Sequence, residues 1–183
     1  MAVREILIYP QHEAELRRSS DPVPGMARQT RRLIRDLKDT LQASSDGIGL
    51  AAPQINIHLR VVVVCLGNEV DGEWQAGPPV ALVNPQIVEA SDERKDFDGC
   101  LSFPGLYGET VRPHRLRVTG LDEQGQSFDR FFEGFDAVLV HHEIDHLDGV
   151  LFIDHIEKLE DLYRLSVNES GEFVRLQVSA DFK

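Results

Sequence analysis

Hydrophobic residues recur in residues 26–41 at the spacing of one helical face, while most of the basic residues of this segment fall elsewhere. The apolar stripe consists of Leu33, Ile34, Leu37 and Leu41. A Pro/Gly-rich break at residues 21–25 precedes the segment, and a polar stretch at residues 44–47 follows it. The pattern therefore predicts an amphipathic helix from Met26 to Leu41.

Three other segments have the hydrophobic patterns of strands. Residues 60–66 form a continuous β-branched run, which is typical of a buried strand. Residues 79–89 are strand-like but are interrupted at Asn84-Pro85. Residues 115–119 alternate between apolar and polar, and a Gly-containing turn leads from them into residues 127–132. This last pair predicts a β-hairpin.

Three segments have less regular patterns. Residues 6–9 are apolar and end at a proline, which fits either a short strand or an extended arm. Residues 67–79 are polar and rich in glycine and proline, so we predict an exposed loop there. The tail after His155 is mixed, and its pattern fits a short helix, a strand or a mobile end.

A second helix is predicted over residues 134–147, and it has three faces. Its core face consists of Val140, Ile144 and Leu147, and its polar face of His141 and Asp145. The third face carries His142 and His146, one helical turn apart, with Val138 and Leu139 one turn before them. We expect this face to line a pocket.

The order of these elements indicates the fold class. Strands and helices do not alternate as they do in parallel βαβ proteins, and no internal repeat is visible. We therefore predict an α+β fold with mostly antiparallel sheets packed around a central helix, the one at residues 134–147. A chain of 183 residues fits a single catalytic domain over residues 1–183.

Composition narrows the range of partners. The formal net charge of −12 argues against nucleic acid or an anionic membrane as a partner held by broad electrostatics. The start of the chain is charged and does not resemble a signal peptide. No apolar run approaches the roughly 20 residues that cross a bilayer. We therefore expect a cytoplasmic protein, in which the two cysteines do not form a structural disulfide.

The string His142-Glu143-Ile144-Asp145-His146 has the HExxH spacing, in which two histidines at i and i+4 converge on one metal ion. A third ligand is needed, and several residues are candidates. The extended zinc-protease motif fails because Phe152 stands at its last position. Glutamates later in the chain lie on no convincing helix face; they are Glu157, Glu160, Glu169 and Glu172.

The cysteines are the remaining candidates for the third ligand. Cys65 lies inside a continuous apolar strand, where a cysteine is more typical of a small buried hydrophobic residue. Cys100 lies in residues 98–105, a segment bounded by glycine and proline that could bend a thiol into a site. The spacing alone leaves open whether Cys100 is a ligand.

Three stretches together resemble the motifs of the peptide deformylase family. Residues 47–54, GIGLAAPQ, are similar to its GxGxAAxQ motif, and residues 98–102, DGCLS, to its EGCLS motif. Residues 142–146, HEIDH, are similar to its HExDH motif. The order and separation of the three also resemble the family, and the likeness spans nearly the whole chain.

The resemblance implies a metal site and a reaction. Cys100, His142 and His146 would hold one divalent metal ion, which is Fe(II) in members of the family, many of which also accept zinc, nickel or cobalt. Glu143 would be the general base and then the acid, and Gln54 with the backbone N–H of Leu101 would stabilise the oxyanion. The implied reaction removes the N-terminal formyl group of newly made proteins and releases formate.

The resemblance also implies how the substrate binds. Gly47 and Gly49 would let an extended formylmethionyl peptide pair with their segment. The methionine side chain would enter a pocket for which the candidates are Ile48, Leu101, Val138 and Leu139, although each fits ordinary core packing equally well. Nascent chains would be the natural partners, with transient association with the ribosome as an expectation.

Three residues depart from the family pattern. Asp98 replaces the usual glutamate of the second motif, which shortens the reach of the carboxylate. His141 replaces a glutamine, and its place on the polar face favours a surface role. Tyr107 stands near the position where many members carry an arginine that contacts the peptide, which predicts altered substrate preference. Two alternative functions remain: a metallohydrolase of other formamides or N-acyl groups, and a non-catalytic formyl-peptide binder.

Overall fold

The structure, a computed structural model, describes residues 2–168 and 171–178. Its α-helices are α1 (Glu13–Leu16), α2 (Arg28–Ala43) and α3 (Phe135–Asp148). Short 3-10 helices span Ala52–Ile55, Phe152–His155 and Leu159–Asp161. The helices predicted from the sequence are thus present with ends shifted by one or two residues. None of the described helices is long and apolar enough to span a membrane.

The strands make up most of the regular structure. They are β1 (Gly49–Ala51), β2 (Val61–Val64), β3 (Gly67–Val70), β4 (Glu73–Ala76), β5 (Val80–Gly99), β6 (Leu106–Leu121), β7 (Ser127–Glu133), β8 (Leu162–Val167) and β9 (Phe173–Gln177). A seven-stranded sheet has the order β1-β2-β5-β6-β8-β9, with β7 also paired to β6, and β3 pairs with β4 separately. Every pairing between these strands is antiparallel, as the sequence predicted.

Strand β2 explains how the two longer helices are placed. Its four valines are all fully buried. Val61 and Val63 pack in one cluster with the apolar stripe of α2, whereas Val62 and Val64 pack in another with Val140, Ile144 and Leu147 of α3. Because successive side chains of a strand point to opposite faces, this part of the sheet is covered by a helix on each side. The continuous apolar run of β2 follows from that double burial.

A third apolar cluster lies beside the long hairpin of β5 and β6. It joins Phe103 and Leu106 to Phe152, Ile156 and Leu162. The residues that follow α3 are therefore anchored against the segment containing Cys100, which itself packs at the edge of this cluster. Helix α3 ends at Gly149, where φ is +76° and an added Cβ would lie 2.2 Å from the carbonyl oxygen of Arg17. That contact gives Gly149 a packing role.

Several predicted segments differ in the structure. Residues 67–79 are not simply an exposed loop: they contain the β3–β4 hairpin, in which Trp74 and the backbone N–H of Gly67 both donate to Asp136 of α3. Strand β5 has 20 residues and extends ten residues beyond the predicted end at residue 89, because it stays paired with β6 from Val83 to Gly99 with local irregularities. Composition did not reveal this extension, since residues 89–95 are exposed and mostly polar.

The described residues near each end of the chain also differ from a simple prediction; residues 169–170 and 179–183 of the tail lie outside them. Residues 6–9 form an extended arm rather than a strand, and the backbone N–H groups of Leu7 and Tyr9 donate to the carbonyl oxygens of Gln54 and Ser102. The arm thereby ties together two of the three motif segments. The tail after His155 contains a short 3-10 helix and the β8–β9 hairpin. Its low sequence signal reflects the high exposure of that hairpin.

Candidate active site

The three motif segments meet at one cavity of about 300 Å³. The first motif lines it through residues 47–49 and Gln54, and the second through residues 98–101. Helix α3 contributes Val138, Leu139, His142 and Glu143 to its wall. Tyr107 lines it as well. All of the site residues predicted from the sequence line this cavity except His146.

Cys100, His142 and His146 form a compact cluster of potential metal ligands. The ligand atoms of the three residues all lie within 4.8 Å of one another. The sulfur of Cys100 is 3.2 Å from Nε2 of His146, and the two imidazole rings have centroids 5.1 Å apart. Both histidines are at least 94% buried, so their nitrogens point into the protein interior rather than to bulk water. One sulfur and two imidazole nitrogens suit a divalent transition metal.

Cys65 and the later glutamates lie outside this cluster. Cys65 is partly buried among the apolar residues that pack on α2, and burial raises the pKa of its thiol. Glu157, Glu160 and Glu172 are exposed, and Glu169 lies outside the described residues. Among the described residues, Cys100 thus lies in the ligand cluster and Cys65 does not, a distinction that the spacing in the sequence left open.

A buried carboxylate holds His142 in place. Nδ1 of His142 is 2.7 Å from Oδ1 of Asp98. Burial raises the pKa of Asp98, but His142 and Arg112 lower it further, so the net shift is downward and the group is a carboxylate. A carboxylate only accepts hydrogen bonds, so Nδ1 carries the proton and Nε2 is left for a ligand. Asp98 thus makes this contact despite being shorter than glutamate.

Arg112 is a buried residue beside the candidate site that the sequence did not single out. Its side chain is fully buried, and its guanidinium donates to Oδ2 of Asp98 at 2.6 Å and to Oδ2 of Asp145 at 2.7 Å. The two acids lie in different motifs, and Arg112 joins them. Buried carboxylates such as those of Asp98 and Asp145 are stable only when a positive charge lies beside them. The sequence offered no way to choose Arg112 among the many arginines of the chain.

His141 is bonded into the same network and is only partly exposed, so it is not simply a surface residue, and it is not among the ligands clustered with Cys100. Its side chain is only 17% exposed, and its Nδ1 lies 2.6 Å from Nη1 of Arg112. Asp145 also lies 2.9 Å from Nε2 of His155. His141, Asp145 and His155 are close enough to suggest a second metal site. The guanidinium of Arg112 already supplies positive charge to this cluster, which disfavours a cation there.

The two metal-site histidines have different electrostatic environments. Burial lowers the pKa of His142, but the carboxylate of Asp98 more than offsets this, and the pKa is raised well above its usual value. Burial and the proximity of His142 lower the pKa of His146 to about 3. His146 is therefore neutral, and His142 must release its Nε2 proton when a metal binds, because a metal-bound imidazole is neutral.

Glu143 lies against the first motif. It is 4% exposed, and burial raises its pKa to about 7. Its Oε2 atom has no hydrogen-bond partner among the described residues. Its Oε1 atom occupies the space beside Gly49, where an added Cβ would lie 2.3 Å away. An unpartnered buried carboxyl oxygen lowers the stability of the fold. Its presence in a cavity therefore points to a functional role.

Gly49→Ala is expected to displace Glu143. The new methyl group would overlap the carboxyl group, which would have to move towards the cavity and away from its position beside Gly49. Since misplacing a catalytic group by about 1 Å can cost about 100-fold in rate, we expect kcat to fall by about 10- to 100-fold with the metal content unchanged. Formate-release kinetics and metal analysis check this. Gly25→Ala is the matched control, because no atom lies within 4 Å of its Cβ position; an unchanged Gly49→Ala rate contradicts the prediction.

Gln54 is held so that its amide nitrogen faces Cys100. Its Oε1 atom accepts from the backbone N–H of Ala51 at 2.7 Å, and its Nε2 atom lies 3.5 Å from Sγ of Cys100 and 3.2 Å from Oγ of Ser102. The accepted bond fixes which end of the amide points to the cavity. Leu101 lines the same cavity beside the sulfur.

The apolar wall contains residues that the sequence predicted and one that it missed. Ile48, Leu101, Val138 and Leu139 all line the cavity. Phe135 lines it too, and its ring meets Trp74 edge-on with centroids 4.9 Å apart. The β3–β4 hairpin thus supports this wall from outside. Its contribution was hidden because residues 67–79 lack an apolar pattern.

Comparison with known proteins gives the family. A family model described as polypeptide deformylase matches residues 3–162. The chain belongs to this family. A curated peptide deformylase from Phenylobacterium zucineum is 44% identical over 161 residues, covering 87% of this chain and 91% of that protein. The chain is therefore a hydrolase of the peptide deformylase family.

Solved peptide deformylases share the fold. The crystal structure of the Ehrlichia chaffeensis enzyme in complex with actinonin has a TM-score of 0.77 and 35% identity, covering 86% of this chain and 91% of that one. The Met-Ala-Ser-bound class I type b enzyme from Acinetobacter baumannii has a TM-score of 0.76 and 30% identity, covering 85% and 99%. The mostly antiparallel sheet with few helices is thus the peptide deformylase fold, and the family is metal-dependent.

Proposed function

We propose that this deformylase hydrolyses the formyl amide at the N terminus of formylmethionyl peptides, releasing formate and a free amine. The main support is the convergence of Cys100, His142 and His146 beside a cavity that also holds Glu143. Helix α3 would be the central element, because it supplies three of these four residues. We further propose that residues 1–183 form one catalytic domain.

The three clustered residues fit one divalent ion per chain. Their ligand atoms are close together, the histidines are buried, and Asp98 orients His142. Thiolate and imidazole suit Fe(II), which we propose as the native ion, and also zinc, nickel or cobalt. When bound, the ion would act as a Lewis acid that lowers the pKa of water and polarises the formyl carbonyl.

Glu143 would move the proton during the reaction. Its carboxyl group is in the cavity wall next to His142 but is not one of the clustered ligands. It would take a proton from the attacking water and give it to the leaving amine. A pKa near neutrality, raised by burial, suits a group that must both accept and donate a proton.

Gln54 and Leu101 would stabilise the negative charge that develops on the formyl oxygen. The amide nitrogen of Gln54 lies 3.5 Å from the Cys100 sulfur, so its N–H can reach a group bound there. The backbone N–H of Leu101 follows Cys100 directly. The loss of one such donor typically costs about 3 kcal/mol of transition-state stabilisation.

The substrate would lie along the first motif. Strand β1 is at the end of the strand order, so an extended peptide can pair beside residues 47–49. The methionine side chain would enter the apolar wall formed by Ile48, Leu101, Val138 and Leu139. The A. baumannii relative that binds Met-Ala-Ser supports a peptide substrate. Nascent chains in the cytoplasm would then be the natural substrates, with transient ribosome association as a further prediction.

Formate release tests the proposal. We expect anaerobically purified, Fe(II)-loaded protein to release formate from formyl-Met-Ala-Ser stoichiometrically with new amine. A small formamide without a methionine side chain serves as the comparison, and its kcat/KM is expected to be far lower. Comparable kcat/KM values would favour a general formamide hydrolase instead. Peptide binding without formate release would favour a non-catalytic binder.

A further inference from the structure

Phe97 and Tyr107 form an aromatic pair at the cavity wall that the mechanism above does not use. Their rings are stacked, with centroids 5.4 Å apart and planes at 27°. Both residues line the cavity, and Phe97 is 44% exposed. An aromatic face that is open to solvent inside a binding cavity can stack with a ligand.

The pair is close to the reaction centre. An added Cβ at Gly99 would lie 2.9 Å from the Tyr107 ring and 3.9 Å from the Phe97 ring, so both rings cover this glycine. Gly99 directly precedes Cys100. An extended peptide advances about 3.3 Å per residue, so a chain whose formyl group lies beside Cys100 reaches the rings within its first few residues.

The carboxylate opposite Phe97 on the neighbouring strand is already compensated. Phe97 faces Glu109 across the strands, and Glu109 is bonded to Arg175 at 2.5 Å and lies 3.6 Å from Lys95. The carboxylate that faces Phe97 is therefore paired with two cations. Asp46, on the cavity rim, is the group that could instead favour a basic substrate residue.

We propose that the Phe97–Tyr107 pair is a specificity subsite that selects an aromatic side chain at the second or third residue of the formylmethionyl substrate. The inference rests on the proposed deformylase function. Stacking of one ring contributes about threefold to tenfold in affinity. Since this contact is remote from the formyl carbon, we expect it to act on KM more than on kcat.

The test compares kcat/KM for formyl-Met-Phe-Ser, formyl-Met-Ala-Phe, formyl-Met-Lys-Ser and formyl-Met-Ala-Ser on metal-loaded enzyme. We expect one of the phenylalanine peptides to exceed the alanine peptide by about threefold to tenfold, through a lower KM. Phe97→Ala is expected to bring this ratio close to one, and Phe97→Tyr to restore it. Phe131→Ala is the matched control: Phe131 is also 44% exposed but lies on β7 beneath Arg115.

The outcomes separate the inference from the proposed function. Formate release from all peptides with no preference for phenylalanine overturns the inference and leaves the function intact. A preference for lysine, or a phenylalanine preference that survives Phe97→Ala, also overturns it. No formate from any peptide overturns both.

Discussion

Glu143→Gln is expected to lose activity by about 100- to 10,000-fold in kcat, the usual contribution of a general acid–base group. Glutamine has nearly the same shape, so it fills the space beside Gly49 as the carboxyl group does. It cannot accept the proton of water or pass it to the amine. The KM for formyl-Met-Ala-Ser and the metal content are expected to change little, because Glu143 is not among the clustered ligands.

The stability of Glu143→Gln gives a second readout. The buried Oε2 atom has no partner among the described residues, so the carboxyl group is destabilising where it lies. We therefore expect the thermal midpoint to stay unchanged or rise, the usual trade between activity and stability. Glu133→Gln, at a side chain that is 71% exposed, is the matched control and is expected to be silent. A Glu143→Gln enzyme with more than about a tenth of wild-type kcat would remove Glu143 from the mechanism.

Cys100→Ser is expected to lose its metal, and Cys65→Ser to keep it. A serine hydroxyl is a poor ligand for a borderline or soft metal ion. Removing a residue that only hydrogen-bonds to a ligand typically lowers metal affinity by roughly 10- to 100-fold, and we expect Cys100→Ser to lower it by more. Cys65 packs with apolar residues against α2, so its replacement costs stability without touching the cluster. Metal analysis of the two variants beside wild type measures this directly.

The paired cysteine variants are informative because each controls for the other. Both remove one thiol from a partly exposed position. If Cys65→Ser loses its metal while remaining folded, or if Cys100→Ser retains a full equivalent, the third ligand has been misassigned. Circular dichroism of both variants distinguishes loss of the metal from loss of the fold.

The sequence predicted those helices and strands that bury one face or both faces, because their apolar residues recur periodically or form a continuous run. Helix α2 and strand β2 are examples, since their apolar residues pack in the core. The outer half of β5 was missed because residues 89–95 are exposed and mostly polar, so no apolar pattern marks their pairing with β6. The β3–β4 hairpin was missed for a similar reason. The hairpin is held to α3 by the hydrogen bond from Trp74 to Asp136, which lies 62 residues away in the sequence.

The candidate site divides in the same way. Motif spacing on one helix brought His142, Glu143 and His146 together, because i and i+4 fix their relation. The meeting of Cys100 with these histidines depends on long-range packing, and the sequence reached it only through family resemblance. Arg112 had no local signal, since its partners Asp98 and Asp145 come from other elements. Networks of that kind are visible only after the chain is folded.

X-ray absorption at the metal edge of zinc-loaded enzyme tests the metal assignment most directly. The account predicts one sulfur at about 2.3 Å and two imidazole nitrogens at about 2.0–2.1 Å in the coordination shell. A shell of nitrogen and oxygen alone would contradict it, because Cys100 could not then be a ligand.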